Sequence, residues 1–205
     1  MTAGTASATT IDRSDFRHIL VSGTKTGAAV ALAVIVYLAV SRLVPPGLVR
    51  AVLQMIVVLA AAVAATFLPA YFAVARTIQG VAGSAAIGLW GTIVFMAIDI
   101  ILLRPFKAFP WTWDAIGGGS TWWYLPIWWM LGTFVAWMGG LVTARRAARG
   151  GDASIRALAL PVVLGGVSSG IGLALGGVMA MPVAAGAGFV FTLVVFALVA
   201  IARRG

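Results

Sequence analysis

Few residues in this chain could do chemistry. Asp99 is the only ionisable side chain well inside an apolar run, Ser168 and Ser169 stand in Gly166-Val167-Ser168-Ser169-Gly170, and His18 is the single histidine. A carboxyl in an apolar run implies a proton or cation site, half of a gate, or an ion pair that fixes helix register. Its candidate partners are Arg104 at the same end and Arg42 and Arg50 in the preceding turn. Asp99 lies four residues before Leu103, about 6 Å from the end of its run at 1.5 Å per residue, so water and long arginines can reach it. The serine motif matches G-x-S-x-G, which belongs to hydrolases where a strand turns into a helix. Here it sits inside an apolar helical run. An intramembrane serine protease would also need a histidine beside the serine, and His18 precedes the first run. These glycines and serines therefore read as packing residues.

Other constellations are missing. The chain has no cysteine and one histidine, and its five acids are all aspartate and isolated. That set builds no usual zinc, di-iron or haem site, so no catalysis, metal or cofactor is expected. The remaining unusual stretch is aromatic. Phe106, Phe109, Trp111, Trp113, Trp122, Trp123, Tyr124, Trp128 and Trp129 surround Gly117-Gly118-Gly119. The glycines are not a nucleotide loop, because no helix follows them in the context that a phosphate site requires. Aromatic rings concentrate where headgroups meet acyl chains, which makes an interfacial belt one reading. The other is a hooded pocket, with Trp111, Trp113, Trp122, Trp123 and Trp128 as walls and Asp99, Arg42, Arg50, Arg104 or Lys107 meeting the polar end of a lipid, quinone or polyprenyl-type ligand.

The elements that must position these residues follow from composition. Of 205 residues 62% are apolar and 9% charged, against about 25% charged in a soluble domain. A chain of this size in water would have to spread Leu, Val and Phe over its surface. Its solvent is lipid, which excludes a secreted domain, a cytosolic enzyme and a disordered regulator. The net charge of +9 does not point to nucleic acid, because the bases flank apolar runs as they do beside anionic headgroups. Six runs reach the roughly 20 residues needed to cross hydrocarbon: 26–44, 51–75, 81–103, 124–144, 157–180 and 183–202. Continuously apolar runs must be helices there. The fold class is all-α, a polytopic bundle of six transmembrane helices. Residues 1–25 form an N-terminal segment and 26–205 the membrane domain. Within the segment, Phe16, Ile19 and Leu20 share a face, which gives either a short amphipathic interfacial helix or an extension of the first span. The two halves of the chain show no convincing repeat.

Bases set the expected orientation. Arg13, Arg17, Lys25, Arg76, Arg145, Arg146, Arg149, Arg156, Arg203 and Arg204 fall on one side, and Arg42, Arg50, Arg104 and Lys107 on the other. That places both termini in the cytoplasm of a bacterial cytoplasmic-membrane protein. Small residues mark helix contacts in lipid. They recur as Gly165, Ser169, Gly172 and Gly176, with Gly166 and Gly170 alongside, as Gly132, Ala136, Gly139 and Thr143, as Ser84, Gly88 and Thr92 on a stripe that continues to Asp99 and so turns that acid toward protein, and as Ala29 and Ala33. The expected function is a non-catalytic subunit of a larger membrane complex, with membrane lipids and a protein as partners. The alternative is a small transporter, or its substrate-binding component, for an apolar or amphipathic solute, with Asp99 as its ion site.

Overall fold

A computed structural model describes residues 15–103 and 124–202. It is all-helical over those residues, with six helices long and apolar enough to span a membrane. They are α1 (Phe16–Leu43), α2 (Leu48–Phe72), α3 (Ile78–Ile98), α4 (Tyr124–Ala148), α5 (Ile155–Leu175) and α6 (Met181–Ala202). A π-helical turn, Asp99–Leu103, continues α3.

The breaks have local causes. Gly47 joins α1 to α2 at φ 151°, a conformation open essentially to glycine alone. α3 starts at Thr77, whose hydroxyl accepts the Gly80 N–H at 3.2 Å, and α5 starts at Ser154, whose hydroxyl accepts the Ala157 N–H at 3.4 Å. Each relieves an amino-end donor that its helix cannot satisfy. The last break falls earlier than Met181-Pro182. α5 ends at Leu175 and Gly177 turns the chain at φ 65°, while Met181 and Pro182 open α6, where a proline has no helical donor to lose. The polar link between α4 and α5 is also shorter than expected, because Arg145 and Arg146 lie in the last turn of α4.

No separate interfacial helix precedes the first span among the described residues. α1 runs unbroken for 28 residues, roughly 42 Å at 1.5 Å per residue, against a hydrocarbon thickness of about 30 Å. It therefore takes in the short amphipathic stretch expected around Phe16–Leu20 as an extension of the span. The physical reason lies in the contacts. Ser22, Gly23, Thr26 and Gly27 are buried, and a Cβ at Gly23 would come within 2.9 Å of the Ile87 carbonyl oxygen. The turns that follow residues 16–20 pack on α3, and His18 within the stretch bonds the Phe72 carbonyl of α2.

The helix contacts place α1, α2 and α5 in one row over α3, α4 and α6 in a second, with α2 touching every other helix. Between the rows, Met55, Leu59 and Phe67 of α2 meet Val135 and Met138 of α4, Val162 of α5, and Ala185, Phe189 and Leu193 of α6. A three-plus-three repeat would pair α4 with α5 as α1 pairs with α2. The first contact has no comparable counterpart in the second half.

Three seams join the helices. On α3 and α4, Thr92 seats on Gly132, Ala136 on Gly88 and Ser84 on Gly140, an antiparallel register advancing four residues at each step. On α5 and α6, Gly165 faces Thr192 and Ser169 faces Gly188, in the same antiparallel sense. α1 and α3 run parallel, with Gly23 against Ile87 and Trp90 and Gly27 against Gly91 and Phe95. Close backbone approach is what holds helices together in lipid, where apolar burial contributes little.

Candidate functional site

Of the bases on described residues, Arg17, Lys25, Arg76, Arg145, Arg146, Arg149 and Arg156 lie at one end of the bundle and Arg42 and Arg50 at the other. The second end holds the expected mouth. Asp99 opens the π turn and is 5% exposed. Asp99 and Leu103 point into the protein while Ile100, Ile101 and Leu102 point out. A π turn takes an extra residue into the helix and re-aims the side chains that follow, and such turns are frequent at functional sites. The register of the α3–α4 seam, carried on from Thr92 and Gly132, brings Asp99 level with the first turn of α4. Asp99 and Arg42 are each engaged in an interaction. Arg42 is exposed and Arg50 partly so.

Trp128 is a core residue as much as a mouth residue. Its ring meets Phe95 edge-on, with centroids 6.2 Å apart and planes at 68°, and it packs on the cluster of Ala31, Phe95 and Met96. Arg104, Lys107, Trp111, Trp113, Trp122 and Trp123 lie outside the described residues. The structure thus brings Asp99 and Trp128 to the same end of α3 and α4. At that end it also shows a polar pair between α1 and α2, in which Gln54 Nε2 donates to Ser41 Oγ at 2.9 Å.

The small-residue positions divide by what they touch. Gly132 and Ala136 meet α3, Gly139 turns to the Thr66 backbone on α2, and Gly165 and Ser169 meet α6. The GxxxG pair Gly166 and Gly170 reaches further, contacting Leu59 and Met55 of α2 as well as Ala185 of α6. Gly172 is exposed with nothing within 4 Å of an added Cβ, and Gly176 lies past the end of α5 against its own last turn. Ala29 and Ala33 are half-buried, and the contact face of α1 lies one turn earlier, at Ser22, Gly23, Thr26 and Gly27.

Hydroxyls in the spans are mostly consumed by their own helix. Among the described residues nine do so: Thr24, Thr26, Ser41, Ser84, Thr92, Thr143, Ser168, Ser169 and Thr192 each donate to the carbonyl four residues earlier. Bonded this way, a Ser or Thr spends its donor within its own helix, although Ser41 and Thr24 also accept across helices from Gln54 and Trp90. Both serines of the G-x-S-x-G run belong to this group. Thr66 and Thr133 break the pattern, since their buried Oγ1 atoms have no hydrogen-bond partner.

The basic end has a role that was not read from the sequence. The carboxyl end of α2 leaves four carbonyls without helical donors. Ala73 N–H serves Pro69, Ala75 N–H serves Ala70 and Val74 N–H serves Tyr71. His18 Nε2 serves Phe72 at 3.0 Å, with Ser22 Oγ 3.4 Å away. A carbonyl only accepts, so Nε2 carries the proton. Lys25 Nζ stands 6.0 Å from the centroid of the Phe72 ring. A second repair concerns Pro161, which has no N–H for the Ala157 carbonyl four residues earlier. Arg146 Nη1 donates to that carbonyl from α4 at 3.1 Å. Proline inside an apolar run was the available signal, since it names the carbonyl that needs an outside donor. Beside this, both oxygens of Asp152 accept from Ser154, at 2.8 Å from N–H and 2.7 Å from O–H. Those bonds, with the Arg146 charge nearby, hold its carboxyl below the usual range.

No family model, curated protein or solved structure matches the chain.

Proposed function

We propose that this chain is a non-catalytic integral subunit of a larger membrane complex, in a bacterial cytoplasmic membrane with both termini inside. The observation that carries the reading is the fate of its polar groups. The hydroxyls of the spans are mostly bonded to their own helices, and the space between the two rows is filled by Met55, Leu59, Phe67, Val162, Phe189 and Leu193. A carrier of polar solutes needs side chains that can exchange partners with cargo, and here those groups are committed to packing. The uneven bases support the orientation. Outward faces of α1 and α5, with Leu32, Ile35 and Val36 on one and Leu160, Leu164 and Ile171 on the other, leave room for lipid and for a partner helix. A tagged chain extracted in mild detergent should run as a complex on native gels, with a stoichiometric partner protein. A lone, stable monomer at native expression would refute the reading.

A second reading rests on a different observation, the burial of Asp99 inside a π turn. Such a carboxyl suits an ion-coupled carrier of an apolar or amphipathic solute. Asp99→Asn should then abolish proton-coupled uptake in vesicles while leaving the fold intact, and unchanged uptake would dispose of this reading.

A further inference from the structure

At the basic end, the link between α2 and α3 and the turn between α4 and α5 line an open cavity of about 420 Å³. That lies within the range of about 300–1,000 Å³ typical of small-ligand sites. Arg76 lines it from one side, and Ala148, Gly150, Gly151 and Asp152 from the other. The two charged residues come from different links and have opposite sign.

We infer that this cavity binds a phosphate ester carrying a primary ammonium, the headgroup chemistry of phosphatidylethanolamine, with the phosphate on Arg76 and the ammonium on Asp152. Charge selects this class. An anion alone would meet the Asp152 carboxylate, and a cation alone would meet the Arg76 guanidinium, whereas a zwitterion satisfies both. The carboxylate is ready for such a role. Each of its oxygens accepts one hydrogen bond from Ser154, and a carboxylate has about four lone-pair sites, so acceptor capacity remains. Burial costs it little, because Asp152 is exposed. The Arg146 guanidinium also acts on Asp152 and donates to the Ala157 carbonyl, and Arg76 is the cation among the lining residues. Ala147, Ala148, Gly150 and Gly151 keep that wall low enough for a headgroup to enter. Ile78, two residues beyond Arg76, is 76% exposed and offers an apolar surface for an acyl chain next to the headgroup. This site is independent of the subunit reading, because it requires no protein partner.

The test uses the full chain in detergent with equimolar synthetic phosphatidylethanolamine, phosphatidylglycerol and phosphatidylcholine, read by native mass spectrometry. The ethanolamine lipid should be retained about tenfold over each of the others (1.4 kcal/mol). Choline tests the ammonium N–H donors and glycerol tests the cation itself. Arg76→Gln should bring retention down to the choline level. Asp152→Asn keeps an acceptor for Ser154, and it should erase the preference over choline and raise phosphatidylglycerol. Displacement by millimolar glycerophosphoethanolamine would show that the free ester also binds, and resistance to it would assign the site to the diacyl lipid. Equal retention of the three lipids, phosphatidylglycerol at or above ethanolamine in the unaltered chain, or an undiminished preference in Arg76→Gln would each overturn the proposal.

Discussion

Gly88→Ala puts the α3–α4 seam under direct strain. A Cβ at Gly88 would run into the Ala136 Cβ and lie 3.1 Å from the Gly132 carbonyl oxygen. Neither atom can rotate away, since one is a methyl on a helix and the other is backbone. Restoring ordinary contact of about 3.5–4.0 Å forces the helices apart by roughly an ångström. The same movement lifts Thr92 off Gly132 and Ser84 off Gly140. Overpacking of this kind costs about 1–3 kcal/mol, and replacing a mid-helix glycine by alanine returns up to about 1 kcal/mol. A net loss of about 1–2 kcal/mol is expected. Ala136→Gly removes the opposing methyl, so the double variant should recover most of the loss, a coupling of about 1 kcal/mol. Gly172→Ala is the control, because nothing lies within 4 Å of its added Cβ. It should be neutral or stabilising by up to about 1 kcal/mol. Equilibrium unfolding in mixed micelles, followed by helical circular dichroism, gives all four values. If Gly88→Ala proves as mild as Gly172→Ala, or if Ala136→Gly fails to rescue it, the idea that interlocked small residues set the spacing of α3 and α4 is wrong.

Other consequences are equally direct. His18→Leu leaves the Phe72 carbonyl without its donor and should cost about 1–3 kcal/mol, with faster amide exchange over residues 70–76; unchanged exchange would mean that water replaces the imidazole without loss. Arg146→Gln and Pro161→Ala should couple, because alanine in place of Pro161 supplies the N–H that the Ala157 carbonyl otherwise takes from Arg146, so the arginine's contribution of about 1 kcal/mol should vanish in the Pro161→Ala background. Independent, additive effects would contradict that account. Asp152 is held below the usual carboxylate range by Ser154, so its contribution to the start of α5 is present above the unfolded carboxylate value and lost as pH falls through the lower folded one. Protection of the Ala157 amide, its exchange referred to the intrinsic rate at each pH, should therefore fall on acidification, and Asp152→Asn should flatten that pH response.

How much of this was legible in the sequence depended on whether lipid or neighbouring helices imposed the constraint. Hydrocarbon thickness acts on each segment alone, so runs of apolar residues located all six helices, and ends shifted where caps such as Thr77 and Ser154 or the turn at Gly177 decided them, where α1 reached back to Phe16, and where residues 145–148 stayed helical. Spacing of four residues picked out Gly132, Ala136, Gly165 and Ser169, since small residues on one face are visible without a partner. Which helix each would meet was not visible, because that needs the register of two chains at once. Gly139 was expected on the same face as Ala136 yet turns to α2, and it is Gly140 that completes the seam with Ser84.

Some residues acquired their roles only through tertiary contacts. His18, which precedes the first apolar run, gained its role when α2 brought the Phe72 carbonyl to it, 54 positions away. Arg146 read as one of several loop bases until α5 folded back and presented the carbonyl that Pro161 leaves open. Asp99 was recognised as an acid in an apolar run, turned toward protein by its stripe with Ser84, Gly88 and Thr92, while the π turn that it opens appeared only in the folded chain. Composition and periodicity thus determined that this chain lives in a bilayer as six helices, because transfer to hydrocarbon is a property of single segments. Pairing, register and the satisfaction of the last polar groups were decided by the folded bundle, because each of those is a property of two surfaces in contact.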